Sequence, residues 1–133
     1  MSNIETVQSI YAAFGKGDLP TILATLSPDI AWEYQPTSTD VPWLQPRRGP
    51  SEVAGFFEAV MKELDIRKFE PHTLCVGGNR VVALVNFEAV VRRTGRTVVE
   101  VDEAHVWAFD GAGKIIRFRH CTDTQAHLAA WTR

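Results

Sequence analysis

The sequence contains little cysteine, little net charge and no cluster of basic residues. Its 133 residues include 2 cysteines, 14 basic and 16 acidic side chains, which give a formal net charge of −2. Scattered lysines and arginines do not form the electrostatic footprint of a nucleic-acid-binding protein. Cys75 and Cys121 lie in apolar surroundings outside any CxxC pattern, so we expect buried free thiols. We expect no metal site, because His, Cys and carboxylate residues do not recur at ligand spacing.

Long apolar segments are also absent. No uninterrupted run approaches the ~18 apolar residues of a membrane span, and the N-terminal stretch MSNIETVQSIYAAFG lacks the basic region and apolar core of a secretory signal. We therefore predict a cytoplasmic protein without a membrane partner. Apolar residues make up 45% and charged residues 23% of the chain, which is ordinary for a globular protein. The length predicts a single domain over residues 1–133.

Helical patterns dominate the first half of the chain. Ser2 and Glu5 have the spacing of a capping box, and the apolar residues after them recur at helical intervals. The glycine-rich stretch 15–18 separates this helix from a short second helix, which we expect to end at residues 27–29. A third helix is predicted to begin at residues 49–50, where proline suits the first turn.

Strand patterns fill most of the remainder. Residues 30–34 alternate like a short strand, and a proline-rich loop follows over residues 35–50. Four longer strands are predicted after the third helix, over residues 67–76, 81–92, 97–109 and 114–122, before a last short helix. This order predicts an α+β fold: a curved, mostly antiparallel sheet with three helices on its concave face. The space between the layers should be a cavity with an aromatic lining formed by Phe14, Trp32, Tyr34, Phe57 and Trp107.

Three stretches of the chain resemble the SnoaL-like proteins of the NTF2-like superfamily. They are YAAFGKGDLPTILATLSPDIAWEY (residues 11–34), RGPSEVAGFF (48–57) and HVWAFDGAGKIIRFRHCTDT (105–124). Together with the element order, the resemblance covers nearly the whole chain and implies the cone-shaped fold of that superfamily. Its members include polyketide cyclases, ketosteroid isomerases, epoxide hydrolases and non-enzymatic binding domains, so the activity must be argued from the site.

The resemblance also implies roles for individual residues. Asp123 matches the aspartate that SnoaL-type aldol cyclases use as their acid–base group, and His105 matches the acidic donor of ketosteroid isomerases. Tyr11 is adjacent to the position of the isomerase tyrosine. Tyr34 stands where those enzymes carry an aspartate base, so steroid isomerisation itself is not predicted. Near Asn86 and Glu88, epoxide-hydrolase-like members carry an arginine and an aspartate, and the arginine is missing here.

Structural alternatives remain open for these residues. His105 shares a face with Trp107 by strand alternation, where it is either a pocket residue or a satisfied core histidine. Asp123 is a natural N-cap for the last helix, and strict alternation groups it with Arg119 rather than with His120, so it reaches the pocket only through a bulge. Asn86 and Glu88 lie either in the pocket or on the open face of the sheet. His72 and His127 are expected at the surface, and Glu33 and Glu103 are expected in solvent or at the dimer interface.

The sequence therefore predicts a homodimer that holds a small hydrophobic molecule with a carbonyl or hydroxyl group and uses no cofactor. As an enzyme it would catalyse cyclisation, isomerisation or hydration, with Asp123 moving the proton and His105 stabilising an oxyanion. The residues expected to contact the ligand are Tyr11, Phe14, Trp32, Tyr34, Phe57, Asn86, Glu88, Trp107 and His120. The alternatives are a ligand-binding protein without chemistry and a dimerisation module whose cavity is filled by side chains.

Overall fold

The computed structural model describes residues 1–33 and 40–132, in which most helices precede a run of four consecutive strands. The helices are α1 (Asn3–Lys16), α2 (Leu19–Leu23), α3 (Gly49–Glu63) and α4 (Thr124–Trp131), and Pro42–Leu44 form a 3-10 turn. The strands are β1 (Leu26–Trp32), β2 (Arg47–Arg48), β3 (Leu64–Gly77), β4 (Arg80–Val91), β5 (Thr97–Phe109) and β6 (Ile115–Cys121). No helix in these two ranges is long and apolar enough to cross a membrane.

The strands form one curved, open sheet in the order β2-β1-β6-β5-β4-β3. β1 runs parallel to β6, and every other neighbouring pair is antiparallel. Helices α1 and α3 pack against this sheet, and large aromatic side chains fill much of the space between the layers. Trp32 stacks on Phe118 with 4.0 Å between ring centroids, and Trp107 lies 4.3 Å from the same ring. The predicted α+β, cone-like fold is confirmed.

Local sequence signals locate several element boundaries correctly. The capping box is present: the Ser2 hydroxyl accepts from the Glu5 backbone N–H, and the Glu5 carboxylate accepts from the Ser2 backbone N–H. Gly17 ends α1 in the left-handed conformation with φ of 70°, which glycine adopts without steric cost. The predicted bounds of the strand over residues 97–109 agree with β5.

The predicted end of the second helix is wrong. Residues 27–29 were expected to terminate it, but α2 ends at Leu23 and these residues lie within β1. Pro28 is accommodated there because the pairing of β1 with β6 is irregular between Leu26 and Ala31. A proline has no backbone N–H for a ladder hydrogen bond, so it fits a strand where the ladder is interrupted.

A bulge in β5 overturns the alternation predicted for this strand. Val85 pairs with Glu103 but Phe87 pairs with Glu100, so β5 has one residue more than β4 in this interval. Asp102 has a left-handed φ of 59°, and its backbone N–H donates to Asn86 Oδ1 at 3.1 Å. Val99 and Val101 are therefore exposed, whereas Glu103 is buried on the concave side with His105 and Trp107.

Both cysteines are exposed, which contradicts the prediction of buried thiols. The reason is strand alternation. Leu74 packs against the core from β3, so the next side chain, Cys75, is directed outward. His120 lies against the cavities of the concave side, so Cys121 also emerges on the outer face. An apolar neighbourhood in sequence does not report which face of a strand a residue occupies.

Replacement of Ser2 by alanine should destabilise the fold by about 1 kcal/mol, because it removes the hydroxyl that caps α1. Urea denaturation followed by circular dichroism measures this change. Ser51→Ala is the matched control, since the N-terminus of α3 has no side-chain capping hydrogen bond, and it should change the unfolding free energy by less than about 0.5 kcal/mol. Equal effects of the two substitutions would contradict a capping role for Ser2.

Candidate functional site

Buried histidines and carboxylates form the polar centre of the cone. Glu103 and His105 project from β5 and are only 5% and 3% exposed, and His120 projects from the neighbouring β6. Glu33, Glu100 and His127 are also buried. The prediction that Glu33, Glu103 and His127 lie at the surface is therefore wrong, whereas His72 is exposed as predicted. Burial of so many ionisable groups is costly unless each is paired.

One hydrogen-bonded chain runs from Trp107 to Glu103. The Trp107 Nε1–H donates to the Tyr11 hydroxyl oxygen at 3.2 Å, and the Tyr11 oxygen lies 2.7 Å from His105 Nδ1. His105 Nε2 lies 2.6 Å from Glu103 Oε1. With Glu103 ionised, Nε2 carries the proton of a neutral His105, and Nδ1 accepts the Tyr11 proton. Both ring nitrogens of His105 are then occupied.

A second chain reaches Glu103 from the opposite side. The Trp43 Nε1–H donates to His127 Nδ1 at 2.9 Å, and an indole nitrogen can only donate. His127 therefore carries its proton on Nε2, which lies 2.9 Å from Thr122 Oγ1. The Thr122 hydroxyl in turn donates to Glu103 Oε2 at 3.0 Å. Each oxygen of Glu103 thus accepts the last hydrogen bond of one chain.

The pKa values agree with these proton positions. Burial opposes ionisation of Glu103, but the hydrogen bond from His105 and the nearby histidines outweigh it and lower the pKa of Glu103 to about 2. Burial lowers the pKa of His105, which favours the neutral ring. Burial likewise raises the pKa of Tyr11, so this phenol keeps its proton.

His120 is paired with a different carboxylate. The Glu33 Oε1 accepts from the His120 backbone N–H at 3.1 Å and is also hydrogen-bonded to His120 Nδ1. Burial disfavours the imidazolium, but the Glu33 charge and hydrogen bond outweigh burial and raise the pKa of His120. Among the described residues, none is hydrogen-bonded to His120 Nε2. The rings of His105 and His120 meet edge to face with centroids 4.8 Å apart.

Two small cavities adjoin these groups. The inner cavity is bordered by Tyr11, Trp32, His105, Trp107 and His120 together with phenylalanine rings, and the rear cavity by Trp43, Glu103, His120, Thr122 and His127 together with apolar side chains. The centre of a water-sized sphere can occupy about 50 Å³ in each cavity, which is several times the volume that one water molecule needs on this measure. The two cavities share four lining residues: Phe14, Phe56, Phe69 and His120.

One buried donor at the inner cavity lacks a partner. Trp32 is 1% exposed, and its Nε1–H makes no hydrogen bond to any described residue. An unsatisfied buried N–H costs about 1–3 kcal/mol, so this position favours a bound hydrogen-bond acceptor. His120 Nε2 and Trp32 Nε1 are thus two polar atoms of this aromatic wall without a hydrogen-bond partner among the described residues.

Most predicted ligand contacts do line the inner cavity, namely Tyr11, Phe14, Trp32, Phe57, His105, Trp107 and His120. Asn86 and Glu88 lie on the outer face instead, because the alternating residues Val85, Phe87 and Ala89 are the buried ones on β4. The predicted contact Tyr34 lies outside the described residues.

Asp123 occupies the capping position that was the structural alternative. Its carboxylate accepts from the Ala126 backbone N–H at 3.0 Å at the N-terminus of α4, and the residue is exposed. Its own backbone N–H donates to Glu100 Oε1 at 2.9 Å. No cavity-lining set described above includes Asp123, so this geometry gives it no access to a ligand in either cavity.

Sequence reasoning missed Glu33, Trp43, Glu103, Thr122 and His127. The spacing of Glu103 and His105 was a usable signal, since residues two apart on a strand share a face. Thr122, by contrast, precedes a helix and carries no periodic signal, and His127 lies on the short helix α4, where its burial depends on the contact with Trp43.

Some of these groups have the composition of a metal site. The ligand atoms of Glu103, His105 and His120 lie within 4.8 Å of one another, as do those of Glu100, Glu103 and His127. In the first group, however, His105 Nε2 and Glu103 already bond to each other at 2.6 Å. A metal ion would have to displace that proton, whereas an organic ligand can use the open His120 Nε2 directly.

In the Glu103→Gln variant, the free energy of unfolding should fall less steeply than in the wild type as the pH is lowered below 4.5. Because the folded pKa of Glu103 lies below its ordinary value of 4.5, the native state binds fewer protons, and the stabilisation is present above pH 4.5 and is lost as the pH falls towards about 2. The loss amounts to about 3 kcal/mol. Urea denaturation at a series of pH values measures the slope. A variant that loses stability in this window as steeply as the wild type would contradict the assignment.

Comparisons with known proteins agree with the fold. The model of the SnoaL-like domain family matches residues 7–118. An NTF2-like protein of unknown function from Burkholderia pseudomallei is 30% identical with a TM-score of 0.85, and the alignment covers 100% of both chains. TerC, co-crystallised with polyporic acid, is 27% identical with a TM-score of 0.78 and 97% coverage of both chains. A search of curated proteins finds no match.

A more distant structure shares the fold alone. Rv0760c from Mycobacterium tuberculosis, solved in complex with estradiol-17β-hemisuccinate, is 16% identical with a TM-score of 0.68, and the alignment covers 95% of this chain and 98% of that one. The family match extends over most of the chain, from within α1 to within β6, and includes the strand that carries Glu103 and His105. The chain therefore belongs to the SnoaL-like domain family and has the NTF2-like fold.

Proposed function

We propose that this protein binds a small, mostly apolar molecule with a carbonyl or hydroxyl group in the inner cavity and catalyses cofactor-independent proton transfer on it. Isomerisation, cyclisation and hydration all belong to this class. The observation that carries the proposal is the state of His120, whose Nδ1 is held by a buried carboxylate while Nε2 has no partner among the described residues. This is the arrangement of a general base oriented by an acid.

His120 and Glu33 form the proton-transfer pair in this proposal. Neutral His120 takes a proton from a carbon next to the carbonyl through Nε2, and the Glu33 carboxylate stabilises the imidazolium that forms. The imidazolium then returns the proton at a different position of the same molecule. The Glu33 charge and hydrogen bond raise the pKa of His120, which stabilises the imidazolium that forms when Nε2 takes a proton.

The Trp32 indole is the proposed oxyanion donor. As a carbonyl compound loses its proton, negative charge develops on its oxygen, and an N–H already aimed at that oxygen lowers the barrier by roughly 3 kcal/mol. Trp32 Nε1 is buried and unpaired, so binding a carbonyl oxygen satisfies it at no cost to another hydrogen bond. Sequence analysis gave this role to His105, but both of its ring nitrogens are occupied by Tyr11 and Glu103.

Tyr11 and His105 are then positioning residues. The hydrogen bonds that connect Trp107, Tyr11, His105 and Glu103 hold the Tyr11 ring against Trp107 and His105. The Tyr11 ring forms one wall of the inner cavity there. His105 packs edge to face on His120 and limits the rotation of that ring. Side chains that hold the His120 ring in place favour proton transfer, because small displacements of the base lengthen the transfer distance.

A ligand-binding protein without chemistry is the alternative function. The co-crystal of the 27% identical TerC with polyporic acid supports a small-molecule site in this fold and does not by itself imply turnover in this chain. The two functions differ in one observable, because both predict ketone binding and only the enzyme predicts exchange of protons with solvent.

A cytoplasmic location of the protein stays a prediction.

His120→Gln should abolish ketone α-proton exchange. Incubation of the wild type with small methyl and cyclic ketones in D₂O, followed by ¹H NMR, should show catalysed exchange that rises with pH as His120 loses its proton. His120→Gln should lower the rate by about 10²-fold or more. Asp123→Asn is the matched control, because Asp123 caps α4 outside the cavities, and it should retain wild-type exchange.

Two outcomes would count against this assignment. Ketone binding without any exchange would favour the binding-protein alternative. Loss of exchange in Asp123→Asn, with His120→Gln still active, would return the proton-transfer role to Asp123.

We also propose that the protein is a homodimer through the outer face of its sheet. Val101 is 76% exposed there and Val99 is exposed beside it on β5, and exposed β-branched residues on a sheet face favour association. Val101→Asp should shift the wild-type dimer to monomer in sedimentation velocity, whereas Val101→Thr, which keeps the shape, should shift it less. A wild type that is monomeric at micromolar concentration would contradict the proposal.

A further inference from the structure

A surface cleft lies directly outside the inner cavity. This outer cleft is bordered by the end of α1, by α2 and by α3, and offers about 460 Å³ to the centre of a water-sized sphere. Its walls are mostly apolar, with one acidic and one basic residue among them. The lining residues are Phe14, Gly17, Leu19, Ile22, Phe57, Glu58, Met61 and Lys62.

The inner cavity and the outer cleft share a wall made of two aromatic side chains. Phe14 and Phe57 line both spaces, and their ring centroids are 6.0 Å apart. Both residues are only partly buried. Rotation of a partly exposed ring is faster and less costly than rotation of one in a close-packed core, so these two rings can part to connect the spaces.

The sizes of the two spaces differ by about a factor of nine, 50 Å³ against 460 Å³. The inner cavity suits a group of a few heavy atoms, such as an acetyl group, next to His120 and Trp32. A larger organic molecule has to extend beyond it. The outer cleft is an apolar space that shares Phe14 and Phe57 with the inner cavity. The apolar side chain of Met61 is 70% exposed there.

We propose that the outer cleft is the second half of the ligand site, and that the ligand is a neutral ketone with an unbranched apolar tail. Its carbonyl head lies in the inner cavity, and its tail passes between Phe14 and Phe57 to lie against Leu19 and Met61. This inference rests on the proposed function, which supplies the carbonyl head.

The charges around the inner cavity favour a neutral head. Glu103 bonds to the neutral ring of His105, so an ionised carboxylate without a cationic partner at that ring stands behind the cavity wall. A carboxylate on the ligand would be repelled by Glu103 in a poorly solvated site. A ketone oxygen carries no charge until proton transfer begins, and it accepts the unpaired Trp32 N–H.

The test uses a homologous series of methyl ketones from 2-butanone to 2-decanone. Dissociation constants are measured by calorimetry or ligand-observed NMR, and α-proton exchange in D₂O is followed in parallel. Affinity should rise about twofold to fourfold for each added methylene, where the upper value corresponds to complete burial of that group. The rise should stop once the tail exceeds the length of the outer cleft.

Met61 provides the matched pair of variants. Because its side chain is exposed, it can be replaced without disturbing the core. Met61→Asp should remove the dependence on chain length, so that 2-decanone binds no more tightly than 2-butanone. Met61→Leu, which keeps an apolar wall, should retain the dependence.

The outcomes separate this inference from the proposed function. Binding of 2-butanone with no gain for longer ketones would overturn the outer-cleft site and leave the proposed function intact. A gain that persists in Met61→Asp would also overturn it. Failure of every ketone to bind would reject the proposed function and the inference together.

Discussion

The ionised carboxylate of Glu103 is the group on which the interior of this protein depends. It receives one hydrogen bond from His105 and one from Thr122, and the two chains behind these donors end at the indoles of Trp107 and Trp43. Because an indole N–H can only donate, every proton along both chains is oriented towards Glu103. Burial of this charge is tolerated since both of its oxygens are satisfied, and the loss of either chain would leave a buried acceptor unpaired.

This network separates polar groups that support the cone from those available to a ligand. Tyr11, His105, Thr122 and His127 have their hydrogen-bonding capacity committed to the two chains. His120 differs, because its pairing with Glu33 uses only Nδ1. Trp32 differs as well, since its N–H lacks a partner among the described residues. These two atoms are therefore the ones to which the proposed function assigns contact with the ligand.

Much of the fold was predictable because its signals are local. The capping box at Ser2, the left-handed turn at Gly17 and the bounds of β5 follow from residue types within a few positions of each boundary. The aromatic lining was also predictable, since helical spacing and strand alternation place large side chains on one face. One error arose where alternation failed, because the bulge near Asp102 turns Val99 and Val101 outward while Glu103 stays on the concave face with His105. A single extra residue in a strand leaves no periodic signal.

By itself, the sequence determined the SnoaL-like fold, the aromatic cavity wall and the position of His105 beside Trp107 on the concave face. It presented Asp123 as a base or a helix cap with equal justification. Only the tertiary structure decided between these, because Asp123 accepts from the Ala126 N–H at the surface, while Glu33, just after β1, bonds to His120, 87 residues away in sequence. Partnerships between ionisable groups depend on which elements become neighbours in space, and no spacing along the chain encodes that.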